Sequence, residues 1–115
     1  MANNTVSATT KQVGLSPQKV RLVVDQVRGL RAVDAVAFLR TMPQAAARPV
    51  AATINSAMAN AEENFGLSKE DMWVAEIWAD MGSIRKWRRF GARGRFKPLL
   101  RRSSHIRVIL EERTA

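Results

Sequence analysis

The chain has 115 residues and carries 19 Lys and Arg against 10 Asp and Glu, a net charge of +9, with one His and no Cys. Lack of cysteine excludes a disulfide scaffold, a zinc ribbon and a thiol nucleophile, and one histidine leaves little for a transition-metal site or a serine-type triad. The length suits one domain, residues 1–10 lack the apolar centre of a signal peptide, and no apolar run approaches the roughly 18–20 residues of a membrane span, so the expectation is a soluble, basic protein of a reducing compartment.

Residues 4–13 are rich in Thr and Val, with Val6, Ala8 and Thr10 on one side, which predicts a short strand at a sheet edge ended by Gly14. Leu15-Ser16-Pro17 then opens a helix over about 17–28: Ser16 is the capping residue and Pro17 fits the first helical position. Leu15 and Val20 stand at the spacing of a hydrophobic staple. Val20, Val23, Val24 and Val27 recur at i, i+3, i+4 and i+7, and Gly29 supplies a left-handed stop. A second helix is predicted over about 32–41, with Val33, Val36, Phe38 and Leu39 apolar and Pro43 beyond it. A third, Ala-rich helix spans about 44–64, with Val50, Ile54, Ala57, Met58, Ala61 and Phe65 on one face and Gly66 closing it. Pro49 requires either a kink or a regular helix that begins there.

An acidic turn at 68–71 precedes a β-like run at 72–80, whose apolar residues fall on both faces, so alternation does not choose the inward side. Residues 105–111 alternate more cleanly, with Ile106, Val108 and Leu110 together. The two dozen residues between these strands are too many for a structureless loop in a compact domain. They read instead as a protruding hairpin with Gly91-Ala92-Arg93-Gly94 at its tip. Arms of roughly ten residues would reach some 30 Å beyond the body.

Charge is concentrated on that hairpin. Residues 1–61 hold seven bases and two acids, 62–80 one base and six acids, 81–110 ten bases and no acid, and 111–115 one base and two acids. Ten uncompensated cations raise the free energy of a compact state unless a polyanion neutralises them. Arg85, Lys86, Arg88, Arg89, Arg93, Arg95, Lys97, Arg101 and Arg102 are therefore the candidate phosphate contacts. Trp87, Phe90 and Phe96 are positioned to stack on unpaired bases, and Gly91 and Gly94 let backbone approach closely. The competing reading is a solvated basic loop whose aromatics pack on arginine stems.

Ser103-Ser104-His105 is no catalytic pair, because successive strand residues point to opposite faces and no acid lies near to orient the ring. Ser104 and His105 are better read as nucleic-acid contacts or backbone partners. Lys19 and Arg21, beside the exposed N–H groups of the first helix, are a secondary anion-binding candidate or else ordinary surface cations; Lys11 and Arg28 are further candidate nucleic-acid contacts. The carboxylates Glu62, Glu63, Glu70, Asp71, Glu76 and Asp80 follow no calcium-loop spacing and read as a solvated face. No cofactor, metal site, catalytic residue or small-molecule substrate is expected.

Laid out in order, the residues resemble the ribosomal protein twenty-two family of the large subunit, nearly end to end. The resemblance rests on Ser16-Pro17-Gln18-Lys19-Val20-Arg21-Leu22-Val23 with Asp25 and Arg28-Gly29, and on Ser56-Ala57-Met58-Ala59-Asn60-Ala61-Glu62 with Asn64. It rests also on Gly82, Lys86, Ala92-Arg93-Gly94-Arg95 and Arg101-Arg102-Ser103-Ser104-His105-Ile106. It implies an α+β fold, three helices on a three-stranded antiparallel sheet with a long basic β-hairpin. The body would comprise 1–81 and 103–115 and the hairpin about 82–102. By the same resemblance the protein is a structural and assembly component, not an enzyme. Large-subunit rRNA and neighbouring ribosomal proteins are its partners in the cytoplasmic ribosome, and no membrane is involved. The tip, Phe90 to Gly94, would line the peptide exit tunnel, with the nascent peptide as a candidate contact. The sequence departs from the family at Ser83, Trp87, Phe90, Gly91 and Phe96, exchanging one usual cation for aromatics. The alternative from another class is a free RNA chaperone or regulator using the same arm.

Overall fold

A computed structural model describes residues 4–90, 94 and 96–113. Five strands and three helices follow one another as β1 (Thr5–Val13), α1 (Pro17–Val27), α2 (Ala32–Arg40), α3 (Ala47–Phe65), β2 (Met72–Met81), β3 (Arg85–Phe90), β4 (Phe96–Arg101) and β5 (Ser104–Glu112). β1, β5 and β2 form an antiparallel sheet in that order, and β3 and β4 form a separate two-stranded ribbon. β1 is an edge strand, as its weak Thr/Val pattern suggests.

The three helices cover one face of the sheet, and the core lies between them. Val20, Val23, Val24 and Val27 are all buried, as their spacing requires, against Ile54 of α3, Val74 and Ile77 of β2, and Ile106, Val108 and Leu110 of β5. Each such side chain contributes about 1.5–3 kcal/mol relative to exposure. Ser16 starts α1 through its carbonyl, which accepts from the Lys19 and Val20 amides; its hydroxyl makes no capping bond, contrary to expectation. In α2 the buried stripe is Ala32, Ala35, Val36 and Leu39, whereas Val33 and Phe38 are exposed. The small alanines let α2 sit close to the core, and counting only large apolar residues misplaces the face. Phe65 likewise lies exposed at the end of α3, just before Gly66 turns left-handed at φ +64°.

Pro49 needs no kink. α3 begins at Ala47, so Pro49 falls in the first turn, where its absent N–H has no intrahelical partner to lose. Its carbonyl accepts from the buried Thr53 hydroxyl at 2.8 Å, which leaves Thr10 to donate to Thr53 across 2.8 Å and tie β1 to α3.

The mixed facing of β2 has a definite cause. The register against β5 shifts between Val74 and Glu76, so Ala75 is an extra residue and the inward parity changes there. Met72 and Val74 point into the core before the bulge, Ile77 and Ala79 after it.

The outer edge of β2 is closed by α1 and the residues after it. Val74 exchanges backbone bonds with Gly29 (2.9 Å) and Leu30 (2.8 Å); Arg28 donates to the Ile77 carbonyl (2.7 Å) and Arg21 to the Ala79 carbonyl (3.2 Å). Covering an edge in this way blocks pairing with another chain.

Candidate nucleic-acid interface

The molecule measures 66 × 25 × 21 Å with a radius of gyration of 17.3 Å, against about 13 Å for a compact chain of this size. The β3–β4 ribbon accounts for the elongation. Each of its strands has six residues, about 20 Å of reach at 3.3 Å per residue, so the arms are shorter than the ten residues expected. The ribbon is also no direct continuation of β2 and β5: residues 82–84 and 102–103 interrupt both strands. Apolar and cationic residues are interspersed in both arms without strict alternation, and no second layer covers them among the described residues.

The register pairs Arg85 with Arg101, Lys86 with Leu100, Trp87 with Leu99, Arg88 with Pro98, Arg89 with Lys97 and Phe90 with Phe96. Two of the six cross-strand pairs thus set cation directly opposite cation, an arrangement that destabilises an antiparallel pair. The pleat also sorts the positions. Arg85, Arg89, Lys97 and Arg101 share one parity with Trp87 and Leu99. Lys86 and Arg88 share the other with Phe90, Phe96, Pro98 and Leu100. Arg85, Lys86, Arg101 and Arg102 are exposed, and no carboxylate pairs with them among the described residues. Gly94 has φ +74°, the left-handed turn conformation that glycine adopts without strain. Gly91, Ala92, Arg93 and Arg95 lie outside the described residues.

The remaining sequence-predicted residues are scattered over the body. Lys11 and Lys19 are exposed on β1 and α1. Arg21 and Arg28 are exposed but already engaged at the edge of β2, and Arg28 also pairs with Asp25 at 2.9 Å. Ser104 is fully buried and donates to the Leu15 carbonyl at 2.6 Å, so it is an internal joint between β5 and the start of α1, with no surface to offer a ligand. His105 Nδ1 accepts the Gln12 backbone N–H at 3.1 Å, leaving Nε2 as the ring's free nitrogen.

At the root of the ribbon lies a polar cluster that periodicity does not reveal. The Gly82 N–H donates to the Ser103 carbonyl at 2.8 Å, the last backbone bond before the ribbon separates. The Ser103 hydroxyl stands between two acceptors, the Ser83 carbonyl at 2.7 Å and Gln12 Oε1 at 3.2 Å. Gln12 Nε2 completes the set with a 3.4 Å approach to the Ser83 hydroxyl. A Cβ on Gly82 would come 2.5 Å from Ser103 Oγ and 3.3 Å from the Ser103 carbonyl carbon, so glycine alone fits without displacing the cluster.

The sheet face away from the helices carries a second feature absent from the sequence reading. Trp73 has the Arg31 and Arg113 guanidinium carbons 5.9 and 5.5 Å from its ring centroid, and Arg107 stands 5.7 Å from that of Trp78. These cation–π contacts, each worth about 0.5–1 kcal/mol at exposed sites, shield two large aromatics on an otherwise open surface.

Body and ribbon together make an α+β protein whose positive charge is gathered on one projecting element. A model of the family described as Ribosomal protein L22p/L17e matches residues 8–111. Over 110 residues, 96% of each chain, the sequence is 41% identical to Large ribosomal subunit protein uL22 of Streptococcus pyogenes serotype M6. The chain belongs to the ribosomal protein L22p/L17e family. It is accordingly a structural, non-enzymatic protein of the large ribosomal subunit, with rRNA and ribosomal proteins as its partners in the cytoplasmic ribosome.

Proposed function

We propose that the β3–β4 ribbon is the principal rRNA-binding element, that it supports large-subunit assembly, and that its tip, Phe90 to Gly94, lines the peptide exit tunnel and meets the nascent chain. The observation that carries the reading is the cross-strand pairing of Arg85 with Arg101 and of Arg89 with Lys97. A two-stranded ribbon is marginal in water even without like-charge repulsion. A register that opposes cations twice is stable when phosphates stand beside both partners. Duplex RNA offers shape, phosphates and 2′-hydroxyls, which suit a narrow cationic probe better than base readout would. The parity richer in cations, Arg85, Arg89, Lys97 and Arg101, takes the phosphate backbone. The parity holding Phe90, Phe96, Pro98 and Leu100 suits unpaired bases or an emerging peptide. On the body, Lys11, Lys19 and His105 Nε2 are accessory contacts, and Arg102 extends the cationic arm to its root.

The test is deletion of residues 85–100 with a short turn joining the ends. The body keeps its helices by circular dichroism, while affinity for large-subunit rRNA falls by orders of magnitude and its dependence on salt flattens. The deletion takes away Arg85, Lys86, Arg88, Arg89, Arg93, Arg95 and Lys97. The slope of log K against log salt drops by about 0.7–0.9 for each phosphate that these cations neutralise. A deleted chain that binds rRNA as tightly as the full one refutes the assignment.

A further inference from the structure

We infer that Gln12 is a positioning residue, a latch on β1 that fixes the direction in which the ribbon leaves the body. Gln12 is the one non-glycine residue with positive φ among the described residues, at +58°. That conformation costs an L-residue roughly 1–2 kcal/mol, and glycine would adopt it freely. The strain comes with a bulge: the pairing of β1 with β5 shifts between Thr10 and Val13. The bulge turns the Gln12 side chain across the sheet's end, where both ends of its amide reach the ribbon root. Oε1 shares the Ser103 hydroxyl proton with the Ser83 carbonyl, and Nε2 faces the Ser83 hydroxyl. The backbone N–H of the same residue holds His105. One residue therefore ties together β1, the strand entering the ribbon and the strand leaving it.

The root is the place where such control is needed. Backbone pairing to β5 ends at Met81 with Ser104, and the ribbon's own ladder starts at Arg85 with Arg101. The Gly82–Ser103 bond and the Gln12 cluster bridge the interval. Two strands joined by one backbone bond form a hinge; the cluster makes it a set angle. An arm held at that angle meets its RNA with less orientational freedom to give up on binding. This consequence rests on the RNA-binding reading of the ribbon; the latch itself does not.

The chain has no cysteine, so two can be introduced without background. Ser56 on α3 and Leu100 near the ribbon root are both exposed. Spin labels on Ser56→Cys and Leu100→Cys report the angle in the free protein by pulsed dipolar spectroscopy. Leu100 is only the second position of the ladder from the root, and fast amide exchange needs no more than brief openings of that ladder, so with Gln12 in place the labels give one narrow distance distribution. Gln12→Gly, which relieves the backbone strain and removes the amide, broadens the distribution at least about twofold while Tm is unchanged or higher. Ser103→Ala broadens it as well, and Gln12→Glu, which keeps an acceptor for Ser103, stays narrow. In the unlabelled full chain, Gln12→Gly weakens binding to a large-subunit rRNA transcript about three- to tenfold with every cation still present. A distribution that stays narrow in Gln12→Gly, or is already broad with Gln12 in place, overturns the latch. If Gln12→Gly broadens the distribution and the 85–100 deletion leaves rRNA affinity intact, the RNA reading fails and the latch stands.

Discussion

In the three-stranded sheet, Ile106, Val108 and Leu110 of β5 are fully buried under the helices; in the β3–β4 ribbon, corresponding cross-strand positions hold Arg85 facing Arg101 and Arg89 facing Lys97. Both regions are antiparallel β-structure with regular register, yet the source of their order differs. The sheet draws its stability from within the chain, by removing apolar surface from water and by capping its β2 edge with Arg21, Arg28 and Gly29. The ribbon has no layer above or below it among the described residues and opposes like charges, so nothing within the described residues offsets that repulsion, and the proposed rRNA contact would supply what is missing. One short polypeptide thus contains a segment that folds on its own core and a segment whose charge, on the proposed reading, is matched by RNA.

A substitution in the core separates the two most strongly. Ile54 is fully buried at the centre of α3, and Ile54→Ala destabilises the body by about 2–5 kcal/mol in denaturant unfolding. Amide exchange in the arms, expected to be fast in the free protein, should not change. Arms that respond in step with the body would show a shared core and break the distinction.

The reverse manipulation improves the ribbon and harms its function. Arg85→Glu turns the Arg85–Arg101 repulsion into an attraction, stabilising the free ribbon by about 0.2–1 kcal/mol. It also removes one phosphate contact, so rRNA binding weakens and the salt slope falls by about 1. Slower arm exchange together with weaker RNA binding is the expected pair of results. If rRNA binding is retained or strengthened, Arg85 is not a phosphate contact.

The smallest effect belongs to the acidic end of the body. The Ser68 hydroxyl donates to Glu70 at 2.7 Å and holds its carboxyl below the ordinary range, with backbone hydrogen bonding and Lys69 adding to the effect. Because the folded value is lowered, this interaction stabilises the fold above the unfolded pKa and is lost as pH falls through the folded one. Ser68→Ala raises the Glu70 midpoint in an NMR titration and leaves rRNA affinity unchanged. A change in rRNA affinity would mean that this end of the body also touches RNA.

Much of this contrast is legible in the sequence, because its causes are local and repeated. The valine stripe of α1, the alternation of Ile106, Val108 and Leu110, and ten bases without an acid are each a pattern of residue type and spacing. What escapes is whatever depends on a partner distant in the chain. The bulge at Ala75 reverses the inward parity of β2 through its register with β5. Ser104 shares the inward parity of Ile106, Val108 and Leu110, and what the sequence does not show is the acceptor that satisfies it there, the Leu15 carbonyl 89 residues away. Gln12 reads as an ordinary polar position in a Thr-rich strand; its role comes from Ser83 and Ser103, 71 and 91 residues away. The tryptophans of β2 similarly acquire their arginine covers from Arg31, Arg107 and Arg113.

Hydrogen exchange of the chain alone and bound to large-subunit rRNA tests most directly whether the two regions are ordered by different means. The helices and β5 should be protected in both states, with Arg85–Phe90 and Phe96–Arg101 exchanging fast in the free protein and slowly in the complex. Arms protected as well as the helices without RNA, or unprotected with it, would contradict that difference.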